Sequence, residues 1–206
     1  MQNIQLPANN SKKVIEQASV ILGRDGLVVL PSDTVLGLLA KVSKAGIAKL
    51  DKFKKRRSGK NYSLIFSDTD HLQEYLDISE DNMKIVTKNS PGLFTFVVKP
   101  IKIINKDIDL ILGSDHQVGF RIPTSELMRK LAIKCNFPIV ATSANLSGKP
   151  SVYNHIELID QVWDKINDID LIIESDTSAH RQASTVIDLT GPSPTILREG
   201  SGKLFS

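Results

Sequence analysis

A chain of 206 residues, 41% hydrophobic and 24% charged, carries enough apolar mass for one α/β core or two small ones, and a single compact domain is expected. Its one cysteine, Cys135, excludes an intrachain disulfide framework and a multi-thiolate metal site, while a formal charge of +3 suits nucleic acid or polyphosphate without singling either out. No apolar run approaches the roughly 18 to 20 residues that span a bilayer, and the opening MQNIQLPANNSKK lacks a signal-peptide stretch, so no membrane association and a cytoplasmic location are expected.

Residues 11 to 24 space Val14, Ile15, Ala18, Ile21 and Leu22 as one helical stripe, which Gly23 and Gly26 close. Leu27 to Leu30 form a short apolar run halted by Pro31, predicting a buried strand that feeds the polar loop Pro31-Ser32-Asp33-Thr34. From 44 to 55, Ile47, Leu50 and Phe53 recur every third residue and predict a second helix. Strands are expected at Ser63 to Phe66 and Phe94 to Val98, separated by a helix near 79 to 89 and the turn Ser90-Pro91-Gly92. Then come a strand over Val118 to Ile122, a helix over 124 to 135, a strand over Pro138 to Ala141, and a helix over about 154 to 163. Strands near 170 to 174, 184 to 188 and 195 to 198 complete a mixed α/β pattern. Ile101 to His116 is the least regular segment, and both a short hairpin and a mobile loop over a site are open for it.

Neither a phosphate loop of the form G-x-x-x-x-G-K-[ST] nor a G-x-G-x-x-G opening a helix is present, and the scattered His71, His116, His155 and His180 show no metal-ligand spacing. Three constellations remain. Lys52-Phe53-Lys54-Lys55-Arg56-Arg57-Ser58-Gly59-Lys60 crowds cations at the end of a predicted helix, where the helix dipole favours them; a solvated charged face and a polyanion grip are both open. Thr142-Ser143-Ala144-Asn145-Leu146-Ser147-Gly148 follows an apolar strand and reads either as an ordinary Ser/Asn turn or as hydroxyl, amide and N–H donors for phosphate or carboxylate. Arg121 and Arg198 each follow an apolar strand, where a buried guanidinium needs an anion, either an internal carboxylate or a ligand.

In their order along the chain these segments resemble the YrdC-like threonylcarbamoyl-adenylate synthase family. The resemblance rests on Pro31-Ser32-Asp33-Thr34-Val35-Leu36-Gly37-Leu38, Lys54-Lys55-Arg56 with Lys60, Pro91-Gly92-Leu93-Phe94-Thr95, Arg121-Ile122-Pro123, Thr142 to Gly148, Ser184 to Asp188, and Leu197-Arg198-Glu199-Gly200. It implies a single YrdC-like domain over 8–200 without an additional carboxy-terminal domain, built as a twisted mixed sheet with helices around a large, positively charged concave cavity. The implied reaction forms threonylcarbamoyl-AMP and pyrophosphate from L-threonine, bicarbonate and ATP with Mg2+, for tRNA threonylcarbamoyladenosine modification by a separate threonylcarbamoyl transferase complex.

Carried over position by position, the resemblance gives Thr34, Arg121, Ser143 and Ser184 to threonine, and Arg56, Lys60, Asn145 and Arg198 to ATP. Lys54 and Arg56 are the electrostatic candidates, with no covalent or acid–base residue, and Gln117 and Ser151 or Tyr153 fall near further ATP contacts. Leu36 stands where the family commonly has an aromatic residue, Leu39 where it has glycine, and Arg57 and Asn61 where it has prolines. Asn61 to Asp68 and Ser90 to Lys99 are instead similar to the YciO branch. Two other readings are therefore carried: a non-catalytic tRNA- or double-stranded-RNA-binding protein, and an adenylating enzyme whose pocket Leu36 reshapes for another substrate.

Overall fold

Strand residues alternate in direction, so a sheet buried on one face by large side chains leaves the other face to whatever its remaining positions carry. The computed structural model describes residues 2–5, 11–55, 62–113, 115–174 and 182–203. In chain order these form β1 (Gln2–Gln5), α1 (Ser11–Gly23), β2 (Val28–Leu30), β3 (Gly37–Lys41), α2 (Lys44–Lys54) and β4 (Ser63–Ile65). Next come α3 (Thr69–Gln73), β5 (Leu76–Asp77), α4 (Glu80–Lys88), β6 (Phe94–Val98), β7 (Lys102–Ile103) and β8 (Val118–Arg121). The remainder is α5 (Glu126–Cys135), β9 (Ile139–Ser143), α6 (His155–Val162), β10 (Leu171–Glu174), β11 (Thr185–Asp188) and β12 (Thr195–Arg198), with 3-10 turns over Lys106–Ile111 and Trp163–Asp168.

Ten strands make one mixed sheet in the order β1-β10-β2-β3-β9-β4-β8-β6-β11-β12, and β5 pairs with β7 in a separate ribbon. Directly opposed residues share a face, so the register defines two rows across the sheet centre. One runs through Ala40, Val140, Leu64, Phe120, Phe96 and Ile187. All six are buried in the larger apolar cluster, together with Leu50 and Phe53 of α2. Phe120 lies 5.7 Å from the Phe96 ring and 6.0 Å from Phe66, and each such side chain contributes roughly 1.5–3 kcal/mol by leaving water.

The other row runs through Leu39, Ala141, Ser63, Gly119 and Val97. Its side chains are small wherever helices do not cover them. Helices α1 and α5 do cover the flank of this face, packing Val14, Ala18, Leu22, Met128 and Leu131 on Val28, Leu30, Leu39, Ile65 and Leu171 in a second buried cluster.

Helix limits follow their caps. Ser43 Oγ accepts from the Gly46 N–H at 2.9 Å to start α2, and Lys55 ends it in the left-handed region at φ 50°. Asn154 accepts from the Glu157 N–H at 2.9 Å to start α6.

All the helices and strands expected from periodicity are present within a few residues. Strand β3 was hidden: Gly37-Leu38-Leu39-Ala40-Lys41 is buried on both faces and so lacks the polar alternation that marks a half-exposed strand. The described residues of the irregular stretch, 101–113 and 115–116, form no hairpin among themselves. Its two-residue β7 pairs with the distant β5, and a 3-10 turn then buries Ile108 and Ile111.

Candidate functional site

The small-residue row is the floor of a cavity of about 330 Å3. Its rim and walls come from the β2–β3 loop (Ser32, Thr34), β6 (Thr95), β8 (Arg121), β9 (Ser143), the segment after it (Ser151), and the Ser184 and Arg198 region. Among the described residues its lining holds two arginines and no carboxylate. A Cβ on Gly119 would sit 3.3 Å from Ser63 Oγ, so even alanine crowds this floor.

Arg121 is the more deeply set of the two cations, its side chain only 10% exposed. Its Nε donates to the Phe94 carbonyl at 3.1 Å, Nη1 to Thr34 Oγ1 at 3.3 Å, and Nη2 to Asp33 Oδ1 at 2.9 Å. The internal carboxylate that an isolated arginine requires is therefore Asp33. Thr34 is itself fixed: its N–H donates to Ser32 Oγ at 3.1 Å, and that hydroxyl donates to the Val35 carbonyl.

Arg198 has no ion pair among the described residues. Its Nη2 donates to the Ser184 carbonyl at 2.8 Å and to Ser184 Oγ at 3.2 Å, and that hydroxyl shares a 2.7 Å hydrogen bond with Thr95 Oγ1. Arg198 is exposed as a residue, but partial loss of water around its guanidinium where it meets Ser184, and after it the charge of Arg121, pushes its pKa below the ordinary arginine value. Both causes oppose the charged form, and a bound anion would relieve the second directly.

A β-bulge aims Arg198. Ile187 pairs with Ile196, whereas the neighbouring Val186 pairs with Arg198, leaving Leu197 as the extra residue. Ile196, though exposed, is thus opposite Ile187 on the side of the sheet that carries the core row, and simple alternation would send Arg198 the same way; the bulge returns it to the cavity face.

Gly200 permits the close crossing behind it. A Cβ there would lie 2.2 Å from the Ala183 carbonyl oxygen, which is backbone and cannot step aside. Gly200→Ala is expected to destabilise the fold by about 1–3 kcal/mol, seen as a lowered urea midpoint at constant slope. An unchanged midpoint would contradict this close packing.

The TSANLSG segment divides into two parts. Ser143 lines the cavity, whereas Asn145, 8% exposed, is turned into its own loop, its amide donating to the Leu146 carbonyl at 3.1 Å and to that of Lys149 at 2.5 Å. Lys54 lies against the same loop and is 1% exposed. Its ammonium donates to the Ser143 carbonyl at 2.7 Å, to Asn145 Oδ1 at 3.3 Å, and to the Asn145 carbonyl. The basic run is thus not simply a solvated face, because Phe53 and Lys54 are buried and Lys165 of the 3-10 turn after α6 donates to the carbonyls of Lys52 and Phe53 at 3.0 Å each. Arg56, Lys60, Arg57 and Asn61 lie outside the described residues.

Of the residues named from sequence, Thr34, Arg121, Ser143, Ser184, Arg198 and Ser151 converge on one cavity. Lys54 and Asn145 support its wall; Gln117, Tyr153 and the described part of 101–116 are not among its lining residues. The sequence motifs assign no role to Asp33, Thr95, Ser63 and Gly119, which the structure places in or behind the cavity. The signal for the last three is the small–large alternation in Ser63-Leu64, Thr95-Phe96 and Gly119-Phe120.

Leu36 corrects an expectation. It is buried in the larger core cluster and is not among the residues lining the cavity, so its replacement of an aromatic residue acts on core packing. Leu39 packs in the cluster formed with α1 and α5. Burial pushes the Cys135 thiol up to about 12, leaving it without nucleophilic character.

The profile of the Sua5/YciO/YrdC family, described as telomere recombination, matches residues 20–200. A Methanocaldococcus jannaschii protein provisionally named threonylcarbamoyl-AMP synthase is 27% identical over 197 residues, 95% of this chain and 90% of its own. The structure of Escherichia coli YciO superimposes with a TM-score of 0.84 at 26% identity, covering 98% of this chain and 97% of that one. Sua5 from P. abyssi, in complex with L-threonine, superimposes with a TM-score of 0.83 at 27% identity over 96% of this chain. This chain spans 56% of that longer protein. No helix of the described residues is long and apolar enough to cross a membrane.

Proposed function

Because the chain belongs to the Sua5/YciO/YrdC family, we propose that it is an L-threonylcarbamoyladenylate synthase. The observation that carries this reading is the pair of guanidiniums, Arg121 and Arg198, on a small-residue floor with no carboxylate in the described lining. Such a site suits two anions that must meet despite their mutual repulsion, and the P. abyssi Sua5 complex with L-threonine supports an amino acid as one of them.

In this reaction the threonine amine adds to bicarbonate and loses water to give a carbamate. A carbamate oxygen then attacks the α-phosphorus of ATP, the bond to the β-phosphate oxygen breaks, and pyrophosphate leaves with its electron pair. Fixed cations and hydrogen-bond donors lower the barrier by holding the partners together and stabilising the charge that accumulates, without a covalent nucleophile. Thr34, Arg121, Ser143 and Ser184 are assigned to threonine, and Arg198, Arg56 and Lys60 to ATP, while Asn145, expected from the family motif to contact ATP, acts through its own loop, where its amide and oxygen are engaged. Lys54 acts through the loop it holds. Among the described residues no group of three His, Cys, Asp or Glu side chains converges to hold a metal, so magnesium is assigned to the ATP phosphates, whose oxygens it screens. The adenylate would pass to a separate transferase complex that modifies tRNA.

The test is pyrophosphate release from ATP, magnesium and bicarbonate with a panel of amino acids, with mass spectrometry of the adenylate. Release that depends on both threonine and bicarbonate is expected. Steeply salt-dependent RNA binding without ATP binding would instead establish the RNA-binding reading. Release with a different amino acid would redirect the substrate assignment, for which Leu36, packed in the core, offers no motive.

A further inference from the structure

We infer that Asp33 is the positioning residue of the amino-acid half of the site, setting Arg121 from behind; this rests on the cavity being an amino-acid site. Asp33 is not among the residues lining the cavity. Its side chain is only 3% exposed, and its two oxygens serve different elements. Oδ1 accepts from Arg121 Nη2 at 2.9 Å, while Oδ2 accepts from the Thr124 N–H at 2.7 Å and from Thr124 Oγ1 at 3.1 Å. One carboxylate thus ties the β2–β3 loop to the end of β8 and to the turn that opens α5.

Arg121 carries five N–H donors. The bonds to Phe94, Thr34 and Asp33 engage each of its three nitrogens once. Each terminal nitrogen thus keeps one N–H beyond these three bonds, a donor that a substrate carboxylate can use. Among the described residues Asp33 also supplies the negative charge paired with Arg121, and so offsets part of the repulsion that Arg121 exerts on Arg198. Removing that charge should let Arg121 turn toward another acceptor, and displacement of a positioning group by about 1 Å can cost on the order of a hundredfold.

Asp33→Asn is the sharpest probe. Whichever way its amide turns, the NH2 group meets either an Arg121 donor or the Thr124 N–H. The expected result is a rise of about 10- to 100-fold in the threonine KM and in the threonine Kd by calorimetry, with the ATP KM changed by less than about twofold. A purely structural role would lower kcat with the active fraction and leave the threonine KM alone, and that outcome overturns the inference. Asp33→Glu keeps the charge but displaces it by one methylene; it should recover part of the threonine affinity lost in Asp33→Asn. If Asp33→Asn does not fold, Asp33→Glu decides: a threonine KM equal to that of the unaltered protein overturns the inference, and a selective rise supports it. Unaltered protein that binds no threonine would overturn the amino-acid reading and this inference together. Threonine binding unchanged in both variants would overturn this inference alone.

Discussion

Arg198→Ala is expected to leave no more than about 1% of threonine- and bicarbonate-dependent pyrophosphate formation, because removing one preorganised donor to developing charge typically costs two to three orders of magnitude. The argument is electrostatic. Arg198 makes no ion pair among the described residues, and it rests on a neutral carbonyl and a hydroxyl of Ser184 while facing the charge of Arg121. Its charge is therefore available to a ligand in a way that the Asp33-compensated charge of Arg121 is not. The fold should be little affected, since β12 is exposed along its length and the substitution removes no core contact. Arg198→Lys should recover only part of the rate, because an ammonium replaces the charge but not the fork. The decisive measurement is steady-state pyrophosphate release alongside a urea unfolding curve. A variant with full activity and unaltered stability would remove Arg198 from the site.

Lys54→Met is expected to destabilise the protein by about 3–5 kcal/mol in the absence of any ligand. Methionine is close to the lysine stem in shape, but it has no donors for the Ser143 carbonyl and the two Asn145 oxygens. Leaving buried acceptors unsatisfied costs about 1–3 kcal/mol each, and the desolvation of an ammonium that methionine spares offsets part of that sum. The free loop would also misplace Ser143, so catalysis should fall beyond what the lost folded fraction explains. Urea unfolding without nucleotide separates the two roles considered for this residue. A midpoint well below that of the unaltered protein supports the loop-holding role, whereas an unchanged midpoint with a raised ATP KM would make Lys54 a phosphate contact instead.

How much of this was legible depended on distance along the chain. Helices α1, α2, α4, α5 and α6 could be read because their apolar spacing and caps are local. The half of the site borne by short segments was also legible: Pro31 to Thr34, Thr142 to Gly148 and Leu197 to Gly200 each carry their polar groups within a few residues. Strand β3 was not, since burial on both faces erases the alternation by which a strand is recognised. Nor was the fate of 101–116, because β7 finds its partner β5 about 25 residues earlier in the sequence.

The sequence by itself determined the mixed α/β class, the order of the motifs and part of the polar lining, Thr34, Arg121, Ser143, Ser184 and Arg198, since each depends on neighbouring residues. Only the tertiary structure decided which way those side chains point. Alternation says that Phe120 and Arg121 face opposite sides of β8, but not which side is core; pairing with Leu64 and Phe96 settles that. The motif places Leu36 near the pocket, and the structure buries it in the larger core cluster. Arg198 needed still more, because a bulge of one residue at Leu197 reverses its direction relative to simple alternation. The inward turn of Lys54 and the pairing of Asp33 with Arg121 are contacts across 89 and 88 residues, and such partners are chosen by sheet register, a property of the whole fold.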